Sequence, residues 1–326
     1  MGKIAFLFAG QGAQYTGMGK ELWEVSPEAR TVFAMADAIR PGTSEQCFAA
    51  SKEELTVTSV TQPALFCVGL AAARTLEGAG IGPDYIAGFS LGEIPALAFA
   101  GSLTDEEAFR FVCRRGELME QCSRESGSAM FAVMGLAAPA IEEIAGALAR
   151  CYPANYNSAN QTVVACQADS AAPFQAAVKA AGGKALKLAV SGGFHSPFMD
   201  QAAETLAAEF AGLAFASAAI PVIANVSGRP YTGKDLLFRQ INSPLYWQSS
   251  IEYLASQGVD TFVELGAGKT LCGLVNKILP QAGTLNVEDK ASLEQTLAAL
   301  SDRAGNGNDA GMGKAEGLPE NNGGSR

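Results

Sequence analysis

Short apolar runs separated by helix-patterned stretches recur along nearly the whole chain, and that alternation fixes the class of fold open to it. Ile4 to Ala9 is uniformly apolar, as a strand buried on both faces must be, and it breaks into a glycine-rich turn, Gly10-Gln11-Gly12-Ala13-Gln14. Ser51-Lys52-Glu53-Glu54 has capping-box spacing, and Thr61-Gln62-Pro63 is expected to open a helix that stops at Gly78. Tyr85 to Phe89 reads as a short strand leading directly into Ser90 and a helix through Ala100. Thr104, followed by Asp105, Glu106 and Glu107, caps and charges a long helix to about Cys122. Pro221 to Val226 and Thr261 to Leu265 read as further strands, with helices at Tyr246 to Gln257 and Thr270 to Leu279 and a last strand and helix ending near Leu300. The alternation implies an α/β fold with a mostly parallel sheet covered on both faces.

The rhythm changes in the middle. Ala129 to Met134 reads as a strand, Ala138 to Arg150 as a helix, Ala154 to Tyr156 and Thr162 to Cys166 as two strands, Ala171 to Ala181 as a helix and Lys184 to Val190 as a strand. That β-α-β-β-α-β order is the ferredoxin-like arrangement. The expected organisation is a discontinuous core over 1–125 and 191–301, a ferredoxin-like subdomain over 126–190 inserted into it, and a tail over 302–326. The tail is rich in Gly, Asn and charge and is expected to be disordered. The 326 residues, 48% of them hydrophobic, suffice for such a core.

Composition removes several classes of function. The formal charge is -10, which repels nucleic acid and anionic membranes. No apolar stretch reaches the roughly 18 residues of a membrane helix. The start, Met1-Gly2-Lys3-Ile4, lacks the layout of a signal peptide. Seven cysteines without a C-x-x-C pair suit reduced thiols in a cytoplasm rather than a disulfide framework or a zinc site. A cytoplasmic monomer with no permanently bound cofactor and no metal is expected. Gly266-Ala267-Gly268-Lys269-Thr270 resembles the end of a phosphate loop, but Val263 stands where that motif needs its first glycine.

Chemistry concentrates at three residues. Gly88-Phe89-Ser90-Leu91-Gly92 matches G-x-S-x-G at a strand-to-helix turn, which lifts a serine oxygen above the sheet edge. Five-residue patterns arise by chance, so the strand–helix setting carries the argument. A serine nucleophile needs a base, and His195 is the one histidine in the chain. It lies in Phe194-His195-Ser196-Pro197, where Ser196 and Pro197 read as N-cap and first residue of a helix. The positive end of that helix keeps the ring neutral and ready to accept a proton. A lone loop histidine more commonly makes structural hydrogen bonds, but here a serine mechanism has no other imidazole. No acidic third member stands out, so a dyad oriented by a backbone carbonyl is expected. Arg115 falls inside the apolar stripe of the Thr104–Cys122 helix, with Ala108, Phe111, Val112, Leu118, Met119 and Cys122. A guanidinium there needs a partner. Spacing alone does not choose between a buried Asp or Glu and a bound carboxylate held bidentately.

With these residues together the chain resembles the malonyl-CoA:acyl carrier protein transacylases and the acyltransferase domains of fatty-acid and polyketide synthases. The likeness runs from Ile4 to Leu300. It is carried by Phe8-Ala9-Gly10-Gln11-Gly12-Ala13-Gln14, Thr61-Gln62-Pro63-Ala64, Gly88-Phe89-Ser90-Leu91-Gly92-Glu93, Arg115-Gly116-Glu117-Leu118-Met119, Asn157-Ser158, Phe194-His195-Ser196-Pro197 and Glu264-Leu265-Gly266-Ala267-Gly268. The resemblance implies a hydrolase-like α/β core with the ferredoxin-like insert over the cleft. It implies Ser90 as acylated nucleophile, His195 as base, the backbone N–H groups of Gln11 and Leu91 as oxyanion hole, and Arg115 as the reader of the malonyl carboxylate. Gln62, Asn157 and Phe194 are implied at the substrate, Phe194 by crowding an α-methyl group. It further implies malonyl-CoA as substrate and a phosphopantetheinylated acyl carrier protein as partner. Carrier proteins are usually acidic, so docking calls for a local basic patch, with Lys184, Lys187 and Lys277 as candidates. The chain departs from the family pattern at Phe89, where His is usual, at Ile94, where an aromatic is usual, and at Tyr246 before Trp247, where Gln or Arg is frequent. If Tyr246 orients His195 through its carbonyl, that last change is neutral. The alternatives are a serine acyl hydrolase or editing thioesterase, a transacylase of different acyl selectivity serving a polyketide synthase, and a non-catalytic docking module.

Overall fold

The computed structural model describes residues 2–190 and 192–309. Its strands are β1 (Lys3–Phe8), β2 (Tyr85–Gly88), β3 (Ser128–Met134), β4 (Cys151–Ser158), β5 (Gln161–Gln167), β6 (Lys184–Lys187), β7 (Val222–Ala224), β8 (Arg229–Pro230), β9 (Val259–Leu265) and β10 (Gly283–Val287). They form a six-stranded sheet in the order β10-β9-β1-β2-β7-β8 and a four-stranded sheet in the order β4-β5-β3-β6. In the large sheet every pair is parallel except β7 with the short edge strand β8. The small sheet is antiparallel throughout and is built from one continuous stretch of chain, with the helices Ala138–Gly146 and Ala168–Ala180 between its strands.

β1 shows why the large sheet needs cover on both sides. Its alternate residues enter different cores: Phe6 and Phe8 join the cluster around the Thr58–Gly78, Glu93–Phe99 and Asp105–Ser126 helices, while Ala5 and Leu7 face Trp247, Ile251, Leu254, Leu271 and Val275. The Thr58–Gly78 helix is buried nearly all round between the sheet and the Asp105–Ser126 helix. The Asp105–Ser126 helix starts at the expected Thr104 cap, and Glu107 completes a capping box with it. A parallel bridge ties the small sheet to the core: Tyr156 N–H donates to the Leu245 carbonyl at 2.8 Å and Leu245 N–H to Ala154 at 2.8 Å. Tyr246 then stacks on Tyr156, centroids 5.0 Å apart.

Several boundaries differ from those read in the sequence. The helix expected to open at Thr61 starts at Thr58 and contains Pro63, because the Ser59 N–H is accepted by Glu120 from another helix and the first turn forms upstream. The Ser51–Glu54 box forms, but it caps only a single 3₁₀ turn, Glu54–Thr56. β4 runs from Cys151, at the expense of the preceding helix, since its pairing with β5 extends to Cys166. Helices at Lys20–Val25, Pro27–Ile39 and Thr43–Ala49 were not anticipated. The last helix continues beyond Leu300 to Asp309. The tail expected over 302–326 is therefore helical as far as Asp309, and its remainder lies outside the described residues.

Candidate functional site

Ser90 sits where β2 ends and a single 3₁₀ turn, Ser90–Gly92, leads into the Glu93–Phe99 helix. The turn is tight enough that a Cβ on Gly88 would collide with the Gly92 carbonyl, and one on Gly92 with the Phe8 carbonyl. Ser90 itself is left-handed, with φ 53°. Only three described non-glycine residues have positive φ, and His195, at 57°, is another. A cluster of such costly conformations marks a site whose surroundings over-determine it. Asn225, at the end of β7, supplies that force. Its Oδ1 accepts the Ser90 N–H at 2.8 Å, its Nδ2 donates to the Gly88 carbonyl at 2.7 Å, and its own N–H donates to Glu93 at 3.2 Å.

His195 lies 2.7 Å from Ser90 through Nε2 and 2.8 Å from the Gln240 carbonyl through Nδ1. A carbonyl only accepts, so Nδ1 carries the proton and Nε2 presents its lone pair to the serine hydroxyl. The orienting carbonyl belongs to Gln240 rather than Tyr246; the loop that carries Gln240 also takes the His195 backbone N–H, at 3.0 Å on Ile241. Ser196 and Pro197 start a 3₁₀ turn that continues into the Asp200–Glu209 helix, and the Ser196 Oγ accepts the Phe198 N–H. Burial, reinforced by the positive charge of Arg115, lowers the His195 pKa to about 4. The ring is therefore neutral near pH 7.

Arg115 is fully buried behind Ser90. Its Nη1 donates to Gln62 Oε1 at 2.7 Å, and its Nη2 to Gln240 Oε1 at 2.9 Å and to Ser90 Oγ at 3.3 Å. Its Nε–H has no partner. No carboxylate lies within salt-bridge distance of it among the described residues. Burial lowers its pKa to about 10, which leaves it charged at neutral pH. Glu93, also buried, is one amide away: Gln240 Nε2 donates to Glu93 Oε2 at 2.6 Å, and burial raises the Glu93 pKa to about 7.

A cavity of about 270 Å³ opens above this cluster, between the C-terminal ends of β1, β2 and β9 and the small sheet. Gln11, Ser90, His195, Phe194 and Asn157 line it, with Phe89, Met119, Val163, Leu188 and Leu271 among its apolar walls. Gln62, Arg115 and Leu91 stand behind the wall rather than on it; Gln62 holds the guanidinium and bonds Met119 Sδ at 3.4 Å. Phe89 packs edge-on against Trp247, centroids 5.2 Å apart, and Ile94 is fully buried. Asn155 and Asn157 line the cavity with buried, unpartnered Oδ1 atoms. Asn155, Asn225 and Gln240 were not singled out in the sequence. Asn225 leaves one trace there, an amide at the end of an apolar strand. At the segment that resembles the end of a phosphate loop, Glu264 accepts the Leu271 and Cys272 N–H groups at the start of the Thr270–Ile278 helix, at 3.0 and 2.8 Å. Among the described residues no cluster could hold a metal ion and no helix is long and apolar enough to cross a membrane.

Comparison with known proteins identifies the family. Residues 5–293 match the acyl transferase domain family. The malonyl CoA-acyl carrier protein transacylase of Bacillus subtilis (strain 168) is 38% identical over 316 residues, covering 94% of this chain and 100% of that protein. A crystal structure of malonyl CoA-acyl carrier protein transacylase from Clostridium perfringens matches with a TM-score of 0.90 at 35% identity, covering 94% of this chain and 99% of that one. A malonyl-transacylase in complex with its type II PKS acyl-carrier protein matches with a TM-score of 0.87 at 33% identity, covering 91% of this chain and 99% of that one. The chain is an acyltransferase and belongs to the family of malonyl CoA-acyl carrier protein transacylases.

Proposed function

We propose that the protein transfers a malonyl group from coenzyme A to the phosphopantetheine thiol of an acyl carrier protein, in two half-reactions joined by a malonyl ester on Ser90. The observation that carries this reading is the position of Ser90 Oγ, 2.7 Å from the base His195 and 3.3 Å from the buried cation Arg115. His195 Nε2 takes the hydroxyl proton as Oγ attacks the thioester carbonyl. The Ser90 N–H is committed to Asn225; by the family resemblance, the N–H groups of Gln11 and Leu91 receive the developing oxyanion. The carbon–sulfur bond breaks, and the coenzyme A sulfur takes the proton from His195. The carrier thiol then repeats the sequence in reverse, giving its proton to His195 as its sulfur attacks the ester.

The free malonyl carboxylate lies one methylene from the carbonyl bound to Ser90, within reach of the Arg115 guanidinium. A charged group there supplies what a buried, ion-pair-free arginine lacks. Phe194 on the cavity wall crowds an α-methyl substituent, and the Asn155 and Asn157 carbonyls offer acceptors to the amides of a pantetheine arm. Lys184, Lys187 and Lys277 are exposed on elements whose neighbouring residues line the cavity, and they suit an acidic carrier protein.

The test is to incubate the protein with malonyl-CoA and weigh it intact. A stable adduct of one malonyl group on Ser90, lost in Ser90→Ala and cleared by carrier protein, is expected. Free malonate released at the rate of coenzyme A, with no adduct, would make the protein an acyl hydrolase instead.

A further inference from the structure

We propose that the side chain of Gln240 is a positioning residue for acyl-group choice: it holds the Arg115 guanidinium ready for a carboxylate without neutralising it. The proposal rests on the reading above, in which Arg115 meets the malonyl carboxylate.

Gln240 follows the short Asp235–Arg239 helix and is buried at the meeting point of three functional groups. Its main-chain carbonyl orients His195. Its side-chain Nε2 donates to the Ser90 carbonyl at 2.6 Å, to Glu93 Oε2 at 2.6 Å and to Asn225 Oδ1 at 3.3 Å. Each of those partners is an acceptor, so the amide has one allowed orientation, and its Oε1 must face Arg115 Nη2, at 2.9 Å. Glu93 therefore fixes which way the amide points, and the amide fixes the arginine. Two neutral oxygens, from Gln62 and Gln240, carry the direct contacts of the Nη groups apart from the one to Ser90. A carboxylate at position 240 would satisfy the cation from within the protein and would lie against Glu93. A neutral amide leaves the charge uncompensated at short range, so an incoming carboxylate gains the whole ion-pair interaction. The main chain and side chain of one residue thus serve different steps: the carbonyl serves proton transfer for any acyl group, and the amide oxygen, through Arg115, favours an acyl group that carries a negative charge.

The experiment compares Ser90 acylation by malonyl-CoA and acetyl-CoA in the full-length protein, read by rapid quench and intact mass, for wild type, Gln240→Met, Gln240→Glu and Arg115→Met. Gln240→Met keeps the main-chain carbonyl and similar bulk. It is expected to lower the malonyl-to-acetyl ratio of kcat/KM about tenfold or more, chiefly through a higher malonyl KM, as loss of a hydrogen bond to a charged group implies. Gln240→Glu, whose shape is nearly unchanged, is expected to lower the same ratio by at least as much; it decides the matter should the Met variant fail to fold. Equal loss on both donors, or an unchanged ratio, in the folded variants would overturn the proposal. If Arg115→Met lowers the ratio while the Gln240 variants do not, only the role of Gln240 falls. If Arg115→Met also leaves the ratio unchanged, the carboxylate reading falls and takes this proposal with it.

Discussion

Acidification tests how the base is tuned. In the proposed mechanism acylation of Ser90 requires neutral imidazole, so its rate at low malonyl-CoA follows the unprotonated fraction of His195. Burial, then the charge on Arg115, lowers that pKa from 6.5 to about 4, a difference of about 3 kcal/mol between the two protonation states. At pH 5 such a ring is about 90% neutral, whereas an ordinary imidazole would be about 3% neutral, a roughly thirtyfold difference in rate. The rate of acyl-enzyme formation, followed by rapid quench from pH 8 to 4 with circular dichroism confirming the fold at each pH, is expected to stay within about twofold down to pH 5 and to halve near pH 4. Glu93 titrates at about 7 in the same network, so Glu93→Gln is measured alongside; a step near pH 7 that this variant abolishes belongs to Glu93. In Arg115→Met the midpoint is expected to rise, because the second cause of the depression is gone. A wild-type midpoint near 6.5, unaffected by Glu93→Gln, would refute the reasoning.

Three further outcomes are expected. The unfolded chain protonates His195 below about 6.5 but the folded one only below about 4, so acidification from pH 8 to 5 removes about 2 kcal/mol of stability through this residue. Glu93, raised to about 7, acts oppositely and adds a similar amount over the same range; His195→Gln is therefore expected to become more stable relative to wild type as the pH falls, in urea denaturation at pH 8 and 5. Gly88→Ala forces a Cβ into the Gly92 carbonyl and should cost about 3 kcal/mol or more by the same assay, against a change within about 1 kcal/mol for Gly146→Ala, where a Cβ meets open space. Phe194→Ala removes a ring from the cavity wall and should raise acylation by methylmalonyl-CoA relative to malonyl-CoA by about tenfold or more, measured as a ratio of kcat/KM.

The parts of the site legible in the sequence are those encoded locally. Gly88-x-Ser90-x-Gly92 announces its geometry because the contacts that demand its glycines lie within a few residues or on the adjoining strand. His195 was legible by scarcity, and Arg115 as a charge on an apolar stripe. The rest was not, because it is made by distance along the chain: Arg115 meets Gln62 from 53 residues away and Gln240 from 125, and Asn225 reaches Ser90 across 135. The three helices missed in the first third of the fold differ in how much local signal they carry. Ser26-Pro27 begins its helix with a cap and a proline that the sequence does display, whereas the helices at Lys20 and Thr43 begin after left-handed Gly19 and Gly42 with no side-chain cap, a signal that ordinarily marks a helix end.

The illegible residues are the ones that make the legible ones work. A charge on an apolar stripe suggests a buried Asp or Glu as readily as a ligand, and the sequence contains a candidate for the first answer in Glu93. The structure places Glu93 within one amide of Arg115 but not in contact with it. In the proposed reading, that single intervening group separates a structural ion pair from a binding site. With direct contact, the arginine would have its counterion and the cavity would have no use for a carboxylate. With Gln240 between them, the cation is held in place with no carboxylate in contact, which is the state that the proposed role of Arg115 as reader of a substrate carboxylate requires.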